Sequence, residues 1–256
     1  MGKLVAFVSS GVLAFAGSGF AQEARAWTHS VFVTIDVSFQ PLNNDFSESV
    51  SFPDSLRRSE NVTFVAGYES TKGALFAAGA GVRLVKNVGA GMTTSWFQRS
   101  ASASFDLRVP SPLAVNRPLA LAGSVPDLRR QEVGIHVQGL YAIPIADRIR
   151  AIVGAGPSVF RIQQDLVRSV EFDTLPGFTS LAFDQAFTTR VERTVVGFNV
   201  GADVTWAFAS HFGVGSIVRY SRASATLDPG AETGVSRAIE MRAGGLQIGA
   251  GVRLLF

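Results

Sequence analysis

Thr194-Val195-Val196-Gly197-Phe198-Asn199-Val200-Gly201-Ala202-Asp203-Val204-Thr205-Trp206-Ala207-Phe208 alternates from Val196 onward. Val196, Phe198, Val200, Ala202, Val204, Trp206 and Phe208 share one face of an extended strand. Gly197, Asn199, Gly201, Asp203 and Thr205 share the other. Successive side chains on a strand point to opposite sides, so this segment has one apolar face and one small or polar face. The order is that of a strand between lipid and a polar lumen, with bulk outside and glycine or charge inside.

The same pattern recurs along the chain. Val31–Phe39 puts Val31, Val33, Ile35, Val37 and Phe39 on one face and Asp36 on the other. The segment near 74–85 carries Phe76, Val82 and Leu84 opposite Gly79, Gly81 and Arg83. The strand expected near 88–98 turns Met92 and Trp96 outward, and that near 132–145 sets His136 and Gln138 against Val137 and Tyr141. Strands near 149–161, 212–221 (Arg219 inward) and 242–256 complete a set of eight. Three connections are tight, at Lys86-Asn87, Ala146-Asp147-Arg148 and Ala209-Ser210-His211. The other four, near 41–73, 99–130, 162–190 and 223–238, are long. Short turns on one side and long loops on the other describe an outer-membrane barrel, and an even count puts both termini in the periplasm. The fold class predicted is therefore all-β: an antiparallel up-and-down transmembrane β-barrel of about eight strands. Alternation at Val62, Phe64 and Ala66, and again at Phe105, Leu107 and Val109, predicts strands that continue beyond the membrane or an additional hairpin.

Composition agrees. Of 256 residues, 47% are hydrophobic and 17% charged, and the mean hydropathy is +0.26. Outside the N-terminus no apolar run approaches the roughly 20 residues of a membrane helix. A net charge of +3 is too small to argue for nucleic acid. With no cysteine, disulfides, thiol catalysis and a lipid-modified cysteine are excluded.

At the N-terminus, Lys3 precedes Leu4-Val5-Ala6-Phe7-Val8 and Gly11-Val12-Leu13-Ala14-Phe15-Ala16, then Gly17-Ser18-Gly19-Phe20-Ala21. A positive start, an apolar middle and a small-residue exit predict a signal peptide over 1–21, cleaved after Ala21, with the barrel domain occupying 22–256. At the other end, Gln247, Gly249, Val252, Leu254 and the final Phe256 have the spacing of the β-signal read by the barrel-assembly machinery.

The chain resembles the outer-membrane protein β-barrel domain family, which includes OmpA-type eight-stranded barrels. The resemblance is carried by Gly156-Pro157-Ser158-Val159-Phe160, Gln164-Asp165-Leu166-Val167 and Val196–Val204. It implies a fold and an outer-membrane location, and brings no activity or catalytic residues.

The predicted lumen network comprises Asp36, Arg83, His136, Gln138, Asn199, Asp203, Arg219, Gln247 and Arg253. An eight-stranded barrel is just wide enough to be filled by its own side chains, and buried charges must be paired, so acids and arginines inside it predict a salt-bridge plug. Inward Gly79, Gly81, Gly89, Gly91, Gly154, Gly156, Gly213, Gly215, Gly249 and Gly251 leave room for the arginines. The alternative is a narrow ion path through the same groups. His29 and His211 fall at the periplasmic rim, so no histidine pair has metal-ligand spacing. Gly79-Ala80-Gly81-Val82 lacks the helix and lysine of a phosphate loop, and no cofactor is expected. His136 as a general base would need a neighbouring nucleophile and a substrate cleft. Partners expected are outer-membrane lipid and lipopolysaccharide, with Arg57-Arg58 and Arg129-Arg130 as possible headgroup contacts, and no nucleic acid. Phe172, Phe178, Phe183 and Phe187 are read as a loop's own apolar cluster or a contact surface. The function expected is non-enzymatic: structural, adhesive or surface-interacting. The alternative is a small channel or carrier for ions or small hydrophobic molecules.

Overall fold

The computed structural model describes residues 29–41, 45–53, 61–70, 73–114, 117–177, 179–227 and 239–256. The signal-peptide segment, Arg57-Arg58 and Phe178 lie outside them. The described residues form ten antiparallel strands: β1 (Val31–Gln40), β2 (Phe46–Pro53), β3 (Asn61–Ser70), β4 (Gly73–Val85), β5 (Val88–Val109), β6 (Leu119–Ala146), β7 (Ile149–Thr174), β8 (Leu181–Ala207), β9 (Phe212–Leu227) and β10 (Ile239–Leu255).

Eight of these close a ring in the order β1-β4-β5-β6-β7-β8-β9-β10, with β10 pairing back onto β1 from Phe32↔Leu255 to Phe39↔Ile248. The outward faces carry Ile35, Val37, Phe76, Met92, Trp96, Val137, Tyr141, Val153, Phe198, Val204, Trp206, Val214, Val218, Ile248 and Val252, all exposed. A continuous apolar belt around a closed sheet is stable in hydrocarbon, because closure leaves no unpaired backbone edge. The three tight turns lie at one end, beside both described chain ends: Ser30 N–H donates to Phe256 C=O at 2.7 Å. Lys86 takes φ 47° in the two-residue turn between Val85 and Val88, as primed hairpin turns require.

At the opposite end the strands outrun the ring. The segments expected as long loops near 99–130 and 162–190 are largely strand: β5 reaches Val109, β6 starts at Leu119, β7 reaches Thr174 and β8 starts at Leu181. Their alternation carried the signal, but broken phase and prolines concealed it. The Pro126-Asp127 step sits in a bulge of β6, where Asp127 takes φ 59° and the register to β5 shifts. The 41–73 connection holds the β2–β3 hairpin. β3 takes over the edge of β5 where β4 has not yet begun, pairing Ser70↔Ala101 through Thr63↔Arg108. Above Phe198↔Arg222, β8 and β9 part company, while the β9–β10 ribbon continues to Leu227↔Ile239.

These extensions enclose the main apolar core. Val62, Phe64, Ala66 and Tyr68 of the hairpin cluster with Ala103, Phe105 and Leu107 of β5 and with Phe160, Ile162 and Leu166 of β7. Ala223, Ala225, Leu227, Ile239 and Met241 of the β9–β10 ribbon complete it. The Tyr68 hydroxyl pins the hairpin, donating to Glu48 Oε1 at 2.8 Å and accepting from Val167 N–H at 3.0 Å. Phe172 packs against this core, whereas Phe183 and Phe187 remain exposed.

β10 is kinked at Gly244 (φ 80°) and Gly245 (φ 143°), both in the left-handed half of conformational space. There the Gly244 backbone points into the barrel, its N–H donating to Glu132 Oε2 at 3.1 Å and its C=O accepting from Gln40 Nε2 at 2.7 Å. A Cβ at Gly244 would lie 2.6 Å from Ser221 O. Gly244→Ala is expected to cost about 1–3 kcal/mol, read as a lower urea midpoint by tryptophan fluorescence in micelles; an unchanged midpoint refutes the strained-kink reading.

Candidate functional site: the barrel lumen

The inward residues of each strand stack in layers. Read upward from the turn end, β7 offers Ile152, Gly154, Gly156, Ser158, Phe160 and Ile162, and β5 offers Gly91, Thr93, Ser95, Phe97 and then Arg99. Apolar floor, polar middle and apolar roof therefore follow from sequence order alone. The floor is the buried cluster of Phe32, Leu140, Ala142, Ile152 and Leu255.

Above the floor lies the ion-pair layer. Arg253, 1% exposed, donates from Nη1 to Asp36 Oδ1 at 2.6 Å and from Nη2 to Asp203 Oδ2. Asp203 Oδ1 accepts from the Thr205 hydroxyl at 2.7 Å. The fork of a guanidinium suits two carboxylates, one from each side of the ring. Glycines make the space: a Cβ on Gly215 would sit 2.9 Å from Arg253 Nε, and one on Gly251 2.6 Å from Asp36 Oδ1. Arg219, 4% exposed, reaches Thr93 Oγ1 at 3.3 Å. A cavity of about 50 Å³ lies beside it, lined in part by Thr34, Thr93, Gln138, Leu140 and Asp203.

The next layer is hydrogen-bonded and built on His136, which is fully buried. Its Nδ1 lies 2.8 Å from Ser158 Oγ and its Nε2 3.0 Å from Ser95 Oγ, with the Phe160 ring edge-on. Asn199 Nδ2 donates to Ser158 Oγ at 2.8 Å, and Gln138 Nε2 donates to Asn199 Oδ1 at 2.5 Å. A histidine within reach of a serine hydroxyl is the pairing that nucleophilic catalysis uses. Here floor, roof and Phe160 enclose it. Gln247 is buried in the same wall, opposite Arg219 on β9.

A second polar layer meets the roof. Arg130, fully buried, donates from Nε to Glu132 Oε1 at 2.8 Å and from Nη2 to Arg242 C=O at 2.7 Å. The Arg99 guanidinium lies over the Phe97 ring at 4.4 Å.

The structure thus brings together Asp36, Asp203 and Arg253, sets Arg219 beside them, and joins His136, Gln138 and Asn199. Arg83 is not part of the Asp36–Arg253–Asp203 set. Arg83 is half-buried at the turn-end rim, where its N–H donates to Ser30 C=O at 2.8 Å, because the lumen phase of β4 reaches that position only at the barrel mouth. Arg130 is also not a surface cation, since only its neighbour Arg129 is exposed. Sequence reading set Thr205 and Glu132 on the inward face without giving them partners, and missed Thr93, Ser95, Ser158, Arg99 and the inward place of Arg130. The serines and threonines share the parity of Gly91 and Gly156, so strand phase was the available signal. Among the described residues no cluster of three acidic, histidine or cysteine side chains is arranged to hold a metal.

Beyond the belt, the outward face of β7 and β8 carries charge. Arg190 Nε donates to Asp165 Oδ1 at 2.8 Å and Arg161 Nε to Glu192 Oε1 at 2.6 Å. Partial burial pushes the Asp165 carboxyl up, but Arg190 and the Arg129 N–H outweigh it and hold it below its ordinary value. Its contribution to stability is therefore present above the ordinary carboxylate range and lost on acidification through the lowered value.

Arg253→Met removes the bonded cation from buried Asp36 and half-buried Asp203, and is expected to cost about 3–5 kcal/mol. Adding Asp36→Asn and Asp203→Asn should recover most of that loss in the same urea titration. A triple variant as unstable as the single one would mean that the arginine matters for packing and not for charge.

No protein-family model matches the chain, and no curated protein matches its sequence. Among solved structures, the outer membrane protein OprG from Pseudomonas aeruginosa superposes with a TM-score of 0.51 at 9% identity, covering 89% of this chain and 96% of that one. The outer membrane protease OmpT from Escherichia coli does so with a TM-score of 0.52 at 8% identity, covering 91% and 98%. Neisserial surface protein A gives 0.44 at 15% identity over 88% and 97%. The ring of eight strands, its apolar belt and the superpositions on OprG and OmpT agree: the chain has the fold of the outer-membrane β-barrels.

Proposed function

We propose that the chain is an integral outer-membrane protein whose barrel is a closed, non-enzymatic scaffold, and whose extended strands carry a structural, adhesive or surface-interaction role. The observation that carries this reading is the polar lumen held between the Phe32–Leu140–Leu255 floor and the apolar roof. An ion crossing the barrel would pass both apolar layers, where its hydration is lost without replacement. The same enclosure keeps substrate from His136 and its serines. In this reading the turn end and both termini face the periplasm, and Gln247, Gly249, Val252, Leu254 and Phe256 are read by the assembly machinery. Exposed Arg129, Arg161 and Arg190, just beyond the belt, meet the phosphates of lipopolysaccharide.

Two measurements test this. The refolded chain in a planar lipid bilayer, with insertion verified separately, is expected to stay silent. Steady conductance that changes in Asp203→Ala would make the protein a pore and overturn the closed-scaffold reading. Orientation is read with single cysteines, which the native chain lacks. On intact cells an impermeant maleimide should label Leu113→Cys and leave Asn87→Cys unlabelled until the outer membrane is breached; the reverse pattern inverts the topology.

A further inference from the structure

We propose that the free edge of β8 above the membrane belt binds an extended, acidic segment of a partner protein by strand addition. The ladder between β7 and β8 runs without a shift from Ile149↔Trp206 to Val167↔Thr188. Ala207 N–H donates to Arg148 C=O at 2.8 Å, so the odd-numbered backbone groups of this stretch face β7. Backbone groups alternate sides along an antiparallel strand, and those of the even-numbered residues point the other way. As far as Phe198↔Arg222 they meet β9. Beyond it the β9–β10 ribbon turns into the core, burying Ala223, Ala225 and Leu227, and β8 continues without it. The N–H and C=O groups of Thr188, Arg190, Glu192, Thr194 and Val196 therefore have no strand partner among the described residues. Natural sheets guard such an edge with proline, lysine, a bulge or shortness. Residues 188–196 contain no proline or lysine and no bulge, and their threonines and valines favour extended backbone. An edge of this kind is the template that strand addition uses: main-chain bonds supply affinity and alternate side chains supply specificity.

Geometry and charge narrow the occupant. Strands of outer-membrane barrels tilt by roughly 35–45°. Two copies side by side in one membrane would bring their β8 strands together crossed at about twice that tilt, and antiparallel self-pairing would need one copy inverted. A flexible segment can lie along the edge, and a second copy cannot. Its charge follows from the side chains. Arg190 and Glu192 are spent on Asp165 and Arg161. Exposed Arg193, and exposed Arg222 at the foot of the edge opposite Phe198, form no ion pair with a described residue. Val191 and Val195, half-buried against the upper core, present apolar side chains on the same stretch. A segment that alternates acidic with β-branched residues matches both. This inference rests on the surface-interaction reading above and names the partner's chemistry.

The full chain, refolded in micelles, is titrated into a fluorescein-labelled peptide alternating glutamate with valine. Saturable binding by fluorescence anisotropy is expected. The same peptide N-methylated at alternate residues cannot complete the ladder and should bind about tenfold more weakly or worse, as should a peptide with lysine in place of glutamate. Thr194→Pro removes an N–H that the described fold leaves unused and sets a ring on the edge, so it should abolish binding at an unchanged melting temperature. Arg193→Glu should weaken the glutamate peptide and favour the lysine one. In hydrogen exchange, the amides of Arg190, Glu192 and Thr194 should exchange fast in the free chain and slowly with peptide. Slow exchange without peptide means that the chain already covers this edge, or that a second copy does where protection grows with concentration; either overturns the proposal. So do an absence of saturable binding, equal binding of the N-methylated peptide, and binding that survives Thr194→Pro. None of these readouts reports conductance, so the closed-lumen reading stands or falls separately.

Discussion

Closure of the backbone hydrogen-bond ring between β1 and β10 is the constraint on which the rest of this molecule depends. Inside an apolar belt no water pairs with a free N–H or C=O, and each orphan costs several kcal/mol. The register from Phe32↔Leu255 to Phe39↔Ile248 removes the two edges an open sheet would leave in hydrocarbon. The side chains of β10 support that seam: Ile248 and Val252 face outward while Arg253 turns inward to meet Asp36 on the partner strand. The last strand and the first are therefore joined twice, by the ladder and by a buried charge pair, so lipid side and lumen side specify the same register.

Closing with eight strands fixes what the interior must be. So narrow a ring admits side chains and little else, and every large inward residue needs a small one opposite. Glycine supplies that complement, as Gly215 and Gly251 do around Arg253 and Asp36. Charges placed there gain stability only as sets. Two carboxylates on one guanidinium, with a second arginine near, form such a set, whereas any one of them alone would be a liability.

The ring, its in-and-out phase and most lumen groups were legible in the sequence, because period-two alternation is a local signal and a strand of known phase assigns each residue a side. Asp36, Asp203 and Arg253 were readable as inward for that reason, though their mutual contact was not, since it joins strands 217 residues apart in the chain. Arg83 shows the limit: phase gives the side of the wall and not the height, and height decided that it sits at the mouth. The extended strands were less legible. Their inward residues, such as Ala101, Ala103, Phe105 and Leu107, are apolar while their outward ones are polar, the inverse of the membrane segment. Along β5 the apolar face switches sides between Trp96 and Phe97, and a reading tuned to one polarity stops there and reports a loop.

That inversion marks a change of solvent along one continuous sheet. Below it the outside is oil and the inside polar; above it the outside is water and the inside is the core. The chain thus carries a membrane barrel and a soluble β-structure on the same strands, joined where Arg99, Arg130 and Glu132 fill the lumen. The upper core of Val62, Phe105, Leu166, Leu227 and Met241 caps the barrel, so the extended strands form a well-packed block. Exposed on it are Leu113, Leu175, Phe183 and Phe187 and the paired charges of β7 and β8. In the proposed closed-scaffold reading, specific recognition falls to that surface, where the sequence spends its length beyond what spanning a membrane requires.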